Sequence, residues 1–123
     1  GAAAIVDGMV EKLLSPAGRA NEGLVERLRR IILRQKPEAL EADIAAMRDR
    51  ADSTDFLSQI SVPTLVLTGE SDVITPPAQG ESMASAIPGA RFVLIPGAGH
   101  MAPMERPGAV ASALSEHFAA ALS

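Results

Sequence analysis

Two ionisable residues stand out by type and spacing. Asp72 closes the stretch Gly69-Glu70-Ser71-Asp72, and His100 closes Gly97-Ala98-Gly99-His100. A carboxylate that accepts the Nδ1 proton of a histidine fixes the tautomer of the ring. It also stabilises the imidazolium formed when the other ring nitrogen takes a proton from a nucleophile. The glycines around His100 allow the tight backbone turns that would bring the ring to a working position. Taken singly, Asp72 reads as a turn cap and His100 as an ordinary loop residue. They become a pair only if the fold brings together positions that are 100 − 72 = 28 residues apart.

The elements that carry them supply that condition. Thr64-Leu65-Val66-Leu67-Thr68 is a short, continuous, β-rich apolar run ended by Gly69, the pattern of a buried parallel strand. Pro76-Pro77 opens a helix that runs through Met83 and Ile87 and is closed by Pro88-Gly89. Arg91-Phe92-Val93-Leu94-Ile95 is a second strand, ended by Pro96-Gly97. A last helix begins near Pro107, with Val110, Leu114, Phe118 and Ala121 expected on its inner face. Strand, helix, strand, helix is a βαβ unit with one helix added. In open α/β sheets functional groups gather just past the carboxyl ends of the strands, so both loops open on one sheet edge. Two parallel strands do not make a stable sheet alone. At least one strand edge is therefore expected to pair with a segment outside this sequence or with another copy of the chain.

The first sixty residues read as helices. Ile5, Met9 and Leu13, with Val6, Val10 and Leu14 beside them, recur at helical spacing up to Ser15-Pro16. Asn21 is the expected N-cap of a second helix with the stripe Leu24, Leu28, Ile31 and Ile32. Pro37 suits the first turn of a third, which carries Leu40, Ile44 and Met47 on one face. Asp52-Ser53-Thr54-Asp55 reads as a turn or cap before a short helical piece around Phe56 and Leu57.

Composition removes several classes of function. Hydrophobic residues are 47% of the chain, enough for a core, yet without Trp or Tyr there is little aromatic surface for stacking bases or sugars. A net charge of −4 argues against general affinity for a phosphate backbone. Arg27, Arg29, Arg30 and Arg34 follow Glu22 and Glu26 by one turn, which reads as a solvated helix face rather than a nucleic-acid site. The absence of cysteine excludes thiolate metal sites and thiol nucleophiles and fits a reducing compartment. His100 and His117 lie far apart without clustered carboxylates, so neither a metal nor a cofactor is expected. No apolar run approaches the roughly 20 residues that cross a bilayer, and Gly1-Ala2-Ala3-Ala4-Ile5 has no secretory pattern. A cytoplasmic location is the expectation.

The residues around the pair carry a family resemblance. Val62-Pro63-Thr64-Leu65-Val66-Leu67-Thr68-Gly69-Glu70-Ser71-Asp72, with Ile74-Thr75-Pro76-Pro77, resembles the penultimate strand and acid loop of α/β-hydrolases. Ala86-Ile87-Pro88-Gly89-Ala90-Arg91, Ile95-Pro96-Gly97-Ala98-Gly99-His100 and Met104-Glu105-Arg106-Pro107 resemble the last strand, the histidine loop and the entry to the final helix. Within that superfamily the chain is similar to the carboxylesterase and 3-oxoadipate enol-lactonase-like group. The resemblance implies an incomplete α/β-hydrolase fold, with residues 1–60 as a helical cap segment and 61–123 as the C-terminal β-α-β-α part of the core. It further implies that Asp72 is the triad acid and His100 the general base. Met101 and Met104 are candidate pocket residues, for which core packing is an equal account.

The chain departs from the family at the nucleophile. Triad order in this fold is Ser, acid, His, with the serine in a Gly-x-Ser-x-Gly elbow between a strand and a helix. That motif does not occur in these 123 residues. Gly80-Glu81-Ser82-Met83-Ala84 lies within a helix, which makes Ser82 a surface or packing serine. Gly69-Glu70-Ser71-Asp72-Val73 follows a strand, but Val73 stands where the elbow needs a small residue. Ser71 is therefore only a substitute nucleophile at best. The expected function is that of the C-terminal part of a serine hydrolase for a small ester or lactone, inactive by itself. The alternative is a non-catalytic module that self-associates or binds another protein through its open strand edge.

Overall fold

The computed structural model describes residues 2–35 and 54–122. The expected helix with Leu40, Ile44 and Met47, and the turn at Asp52-Ser53, lie outside the described residues.

Three helices come first: α1 (Ala2–Leu13), the single turn α2 (Pro16–Arg19) and α3 (Glu22–Leu33). Val6, Val10 and Leu14 from the α1 side meet Leu24, Leu28 and Ile32 from α3, two rows at four-residue spacing packed into one apolar cluster. Leu28 is 2% exposed, and burying such a side chain stabilises the fold by about 1.5–3 kcal/mol. The Asn21 side chain accepts a hydrogen bond from Leu24 N at 3.1 Å, the cap its residue type suggests. Asn21→Ala is expected to cost about 1 kcal/mol, read as a lower midpoint in urea denaturation.

Two outer residues differ from the expected stripes. Ile5 is 58% and Ile31 42% exposed, outside the cluster, while Met9 and Leu13 from the row of Ile5 pack partly against it. The arginines of α3 lie on the solvent side. Arg30 faces Glu26 one turn earlier at 3.8 Å, and Arg29 reaches Asp7 on α1 at 2.6 Å.

After α4 (Thr54–Leu57) the chain enters β1 (Leu65–Gly69), α5 (Pro77–Ala86) and β2 (Arg91–Ile95), then α6 (Ala102–Glu105) and α7 (Pro107–Leu122). The strands pair in parallel, Leu65 with Arg91 through Gly69 with Ile95, as the sole sheet among the described residues. Alternation sends successive side chains to opposite faces. Thr68 and Phe92 meet α5 at Gly80, while Leu67, Val93 and Ile95 pack with Ala98, Ala102 and Val110. Helix, sheet and helix thus form three layers.

The strand expected to be buried is only partly so. Leu65, Val66 and Leu67 are half-buried, and Leu94 on β2 is 38% exposed. Among the described residues each strand has one neighbour, so apolar side chains that a wider sheet would enclose stay partly exposed.

The inner face of α7 also differs from expectation. Val110, Ala113 and His117 turn inward, whereas Leu114 is 39% and Phe118 58% exposed, and Ala121 is exposed as well. Small Ala113 lets the helix approach the two-stranded sheet closely. The Leu114–Phe118 row extends past the area those two strands can cover. His117, which by helical spacing flanks the expected apolar face as a partly buried residue, is 9% exposed, its ring edge-on to Phe118 at 5.8 Å. No helix among the described residues is long and apolar enough to cross a membrane.

Candidate active site

Both chemically interesting residues sit just past the carboxyl ends of the paired strands. β1 ends at Gly69 and β2 at Ile95, and the loops beyond them are laced together by backbone hydrogen bonds. Glu70 N donates to Ile95 O at 2.9 Å, and Ser71 N to Ala98 O at 2.8 Å. Parallel pairing therefore continues past the last ladder residues and brings the two loops into register.

The result is a direct contact between His100 Nδ1 and Asp72 Oδ2 at 3.0 Å. Asp72 is held before it meets the ring. Its Oδ1 accepts from Ile74 N and Thr75 N, both at 2.9 Å, in a local turn of the kind Asp side chains form. Its Oδ2 accepts from the Thr75 hydroxyl at 2.9 Å. The carboxylate side chain is 5% exposed and the imidazole 25%, so the acid is enclosed and the base remains open to an incoming group. Thr75 Oγ1 also lies 3.4 Å from His100 Nδ1, at the long limit for such a bond.

The contacts of the ring with Asp72 and Thr75 are both at Nδ1. With Asp72 ionised, the Nδ1 proton points to the carboxylate and Nε2 presents its lone pair. An imidazole so arranged can abstract a proton and then carry the positive charge beside a fixed anion.

The remaining sequence candidates fall in different places. Ser71 lines an open cleft of about 560 Å³ shared with Glu11, Lys12, Arg19 and Asp72, and His100 is not among its lining residues. Ser82 is exposed on α5. Met101 and Met104 are half-buried and pack against the apolar cluster of α1 and α3. Among the described residues there is no grouping of three or more side chains suited to a metal ion.

Sequence reasoning passed over Glu105 as a site residue. Its carboxylate takes hydrogen bonds from Gly99 N at 3.0 Å and from Ser15 N at 3.1 Å, and another from the Ser15 hydroxyl. The sequence signal was weak. Glu105 is a charged residue five positions after the histidine, in a stretch already noted as family-like, while its partner Ser15 lies 90 positions away.

Comparison with known proteins agrees with this architecture. Over 97% of its length the chain is similar to a thermophilic esterase from Thermogutta terrifontis, at 40% identity and a TM-score of 0.86. Over 94% it is similar to an enol-lactonase from Burkholderia xenovorans LB400, at 26% identity and a TM-score of 0.85. A pimeloyl-(acyl-carrier protein) methyl ester esterase of Neisseria meningitidis serogroup B is 39% identical over 64 residues, which is 52% of this chain and 24% of that protein. The chain spans 44% of each of the two structures and about a quarter of the curated esterase. The family model of the alpha/beta hydrolase fold matches residues 14–107, and the chain belongs to that family.

Proposed function

We propose that this chain supplies the acid and base of a serine hydrolase acting on a small ester or lactone. The contact that carries the reading is His100 Nδ1 to Asp72 Oδ2 at 3.0 Å, at the mouth of two parallel strands. His100 Nε2 would take the proton of a serine hydroxyl as its oxygen adds to the acyl carbon, then return that proton to the leaving alcohol oxygen. In the second half the same nitrogen deprotonates water, which releases the acid and restores the serine. Asp72 holds the ring and offsets its charge throughout. Residues 1–60 act as the end of a cap over the pocket, 61–123 as the C-terminal part of the core, and the free sides of Met101 and Met104 as pocket wall.

The serine and the oxyanion donors would come from a segment outside these 123 residues, consistent with the 44% of the structural relatives that the chain spans. Without them the usually largest electrostatic contribution is missing, so the chain by itself is expected to be inactive. The test is p-nitrophenyl acetate hydrolysis by the purified chain and its His100→Ala variant. The expected result is no turnover above background in either. Turnover that disappears in the variant would overturn the inactivity and point to Ser71.

One observation favours a second reading, a module that self-associates or binds another protein. Phe118 and Leu122 on α7 are 58% and 87% exposed, and the sheet has two strands with open edges among the described residues. Sedimentation over a range of concentrations tests it. A mass that stays at one chain throughout counts against self-association.

A further inference from the structure

The loop that carries His100 is fastened to the helical segment on both sides of the histidine. On one side Met101 N donates to Leu13 O at 3.1 Å, at the end of α1. On the other, Gly99 N donates to Glu105 Oε1 at 3.0 Å, and the same carboxylate accepts from Ser15 N at 3.1 and 3.2 Å and from the Ser15 hydroxyl. Ser15 is 1% exposed, and its oxygen in turn accepts from Gly18 N at 3.0 Å, capping α2. Gly99 fits because it has no side chain, since a Cβ there would stand 2.7 Å from Ser15 N. The helical segment and the histidine loop therefore meet backbone to backbone, through the bond from Met101 N to Leu13 O and through one carboxylate that adds a side-chain link.

We propose that Glu105 is a positioning residue, whose carboxylate ties Ser15 to the backbone just before His100 and so holds the imidazole on Asp72. The proposal rests on the acid–base reading of that pair. It deepens it by making the helical segment a determinant of ring position as well as a roof.

The link suits an acceptor of several hydrogen bonds. The groups that face the two carboxylate oxygens donate to them: Gly99 N, Ser15 N and the Ser15 hydroxyl, whose oxygen also accepts from Gly18 N and keeps a second lone pair. A glutamine has the same shape but turns an NH₂ toward one of those donors. The Ser15 hydroxyl can turn to accept from that NH₂, but the bonds from Gly99 N and Ser15 N to an uncharged oxygen lose the charge that strengthens them. That weakening reaches Gly99, adjacent to the histidine.

The experiment is proton NMR of the 123-residue chain, following the hydrogen-bonded Nδ1 proton of His100, assigned by its loss in His100→Gln. In the parent this proton is expected downfield and slow to exchange, and Asp72→Asn is expected to remove it. Glu105→Gln is expected to speed its exchange about tenfold or broaden it away. Ser15→Ala, which keeps the carboxylate and removes one donor, is expected to act in the same direction and more weakly. Asn21→Ala supplies a helical destabilisation that leaves the link intact and is expected to leave the signal unchanged. Unaltered exchange in both Glu105→Gln and Ser15→Ala would overturn the coupling alone. A parent chain with no Asp72-dependent signal would instead overturn the pairing on which it rests. An effect equally large in Asn21→Ala would reduce Glu105 to a general stabiliser and likewise overturn the proposal.

Discussion

Joined to a segment that bears a strand, Gly-x-Ser-x-Gly and a helix, the chain is expected to hydrolyse a small ester, and His100→Ala to abolish nearly all of it. The expected loss in kcat is about four to six orders of magnitude, the range seen when the base of such a triad is removed. KM should change little, because the imidazole acts on a proton in the transition state and contributes no uniform binding.

Asp72→Asn makes the sharper test. The asparagine can keep the turn bonds to Ile74 N and Thr75 N through its oxygen, now 2.9 Å from each. Its NH₂ then faces His100 Nδ1 across the 3.0 Å contact and favours the tautomer with the proton on Nε2. That tautomer cannot accept the serine proton. A loss of about 10⁴ in kcat with an unchanged melting temperature is therefore expected. An Asp72→Asn enzyme within tenfold of the parent would sink the acid–base reading, whatever the fold.

The parts of this arrangement that were legible in the sequence share one property: local punctuation. Gly69 and Pro96-Gly97 end the two strands where proline and glycine chemistry says they should. Asn21 caps α3 because its short polar side chain reaches Leu24 N without help from distant residues. The meeting of Asp72 and His100 was legible because parallel strand order puts both loops on one edge, whatever packs beyond them. What stayed hidden depends on residues far apart in sequence. Nothing local in Ser15 or Glu105 announces a contact across 90 positions. Helical spacing in α7 offers two adjacent apolar rows, Val110–Ala113–His117 and Val110–Leu114–Phe118. Only the width of the sheet beneath decides which row turns in.

Gly69→Ala is the substitution expected to damage the chain most without touching a reacting group. Gly69 is the last residue of β1 and is buried. An added Cβ would lie 2.5 Å from Ala98 O and still nearer Gly99 O, both of them backbone atoms with no rotamer by which to yield. Relief has to come from separating the two loops. That lengthens the 2.8 Å bond from Ser71 N to Ala98 O and, next along the chain, the contact of Asp72 with His100. Overpacking of this kind costs about 1–3 kcal/mol, and a backbone collision belongs at the upper end. Gly8→Ala is the matched control: it lies within α1 with nothing inside 4 Å of the new methyl, so it is expected to stabilise the chain by about 0.5–1 kcal/mol. Urea denaturation of the two variants should therefore move the midpoint in opposite directions. Equal midpoints would mean that the acid and histidine loops have room to part, and that their close approach does not set the geometry of the pair.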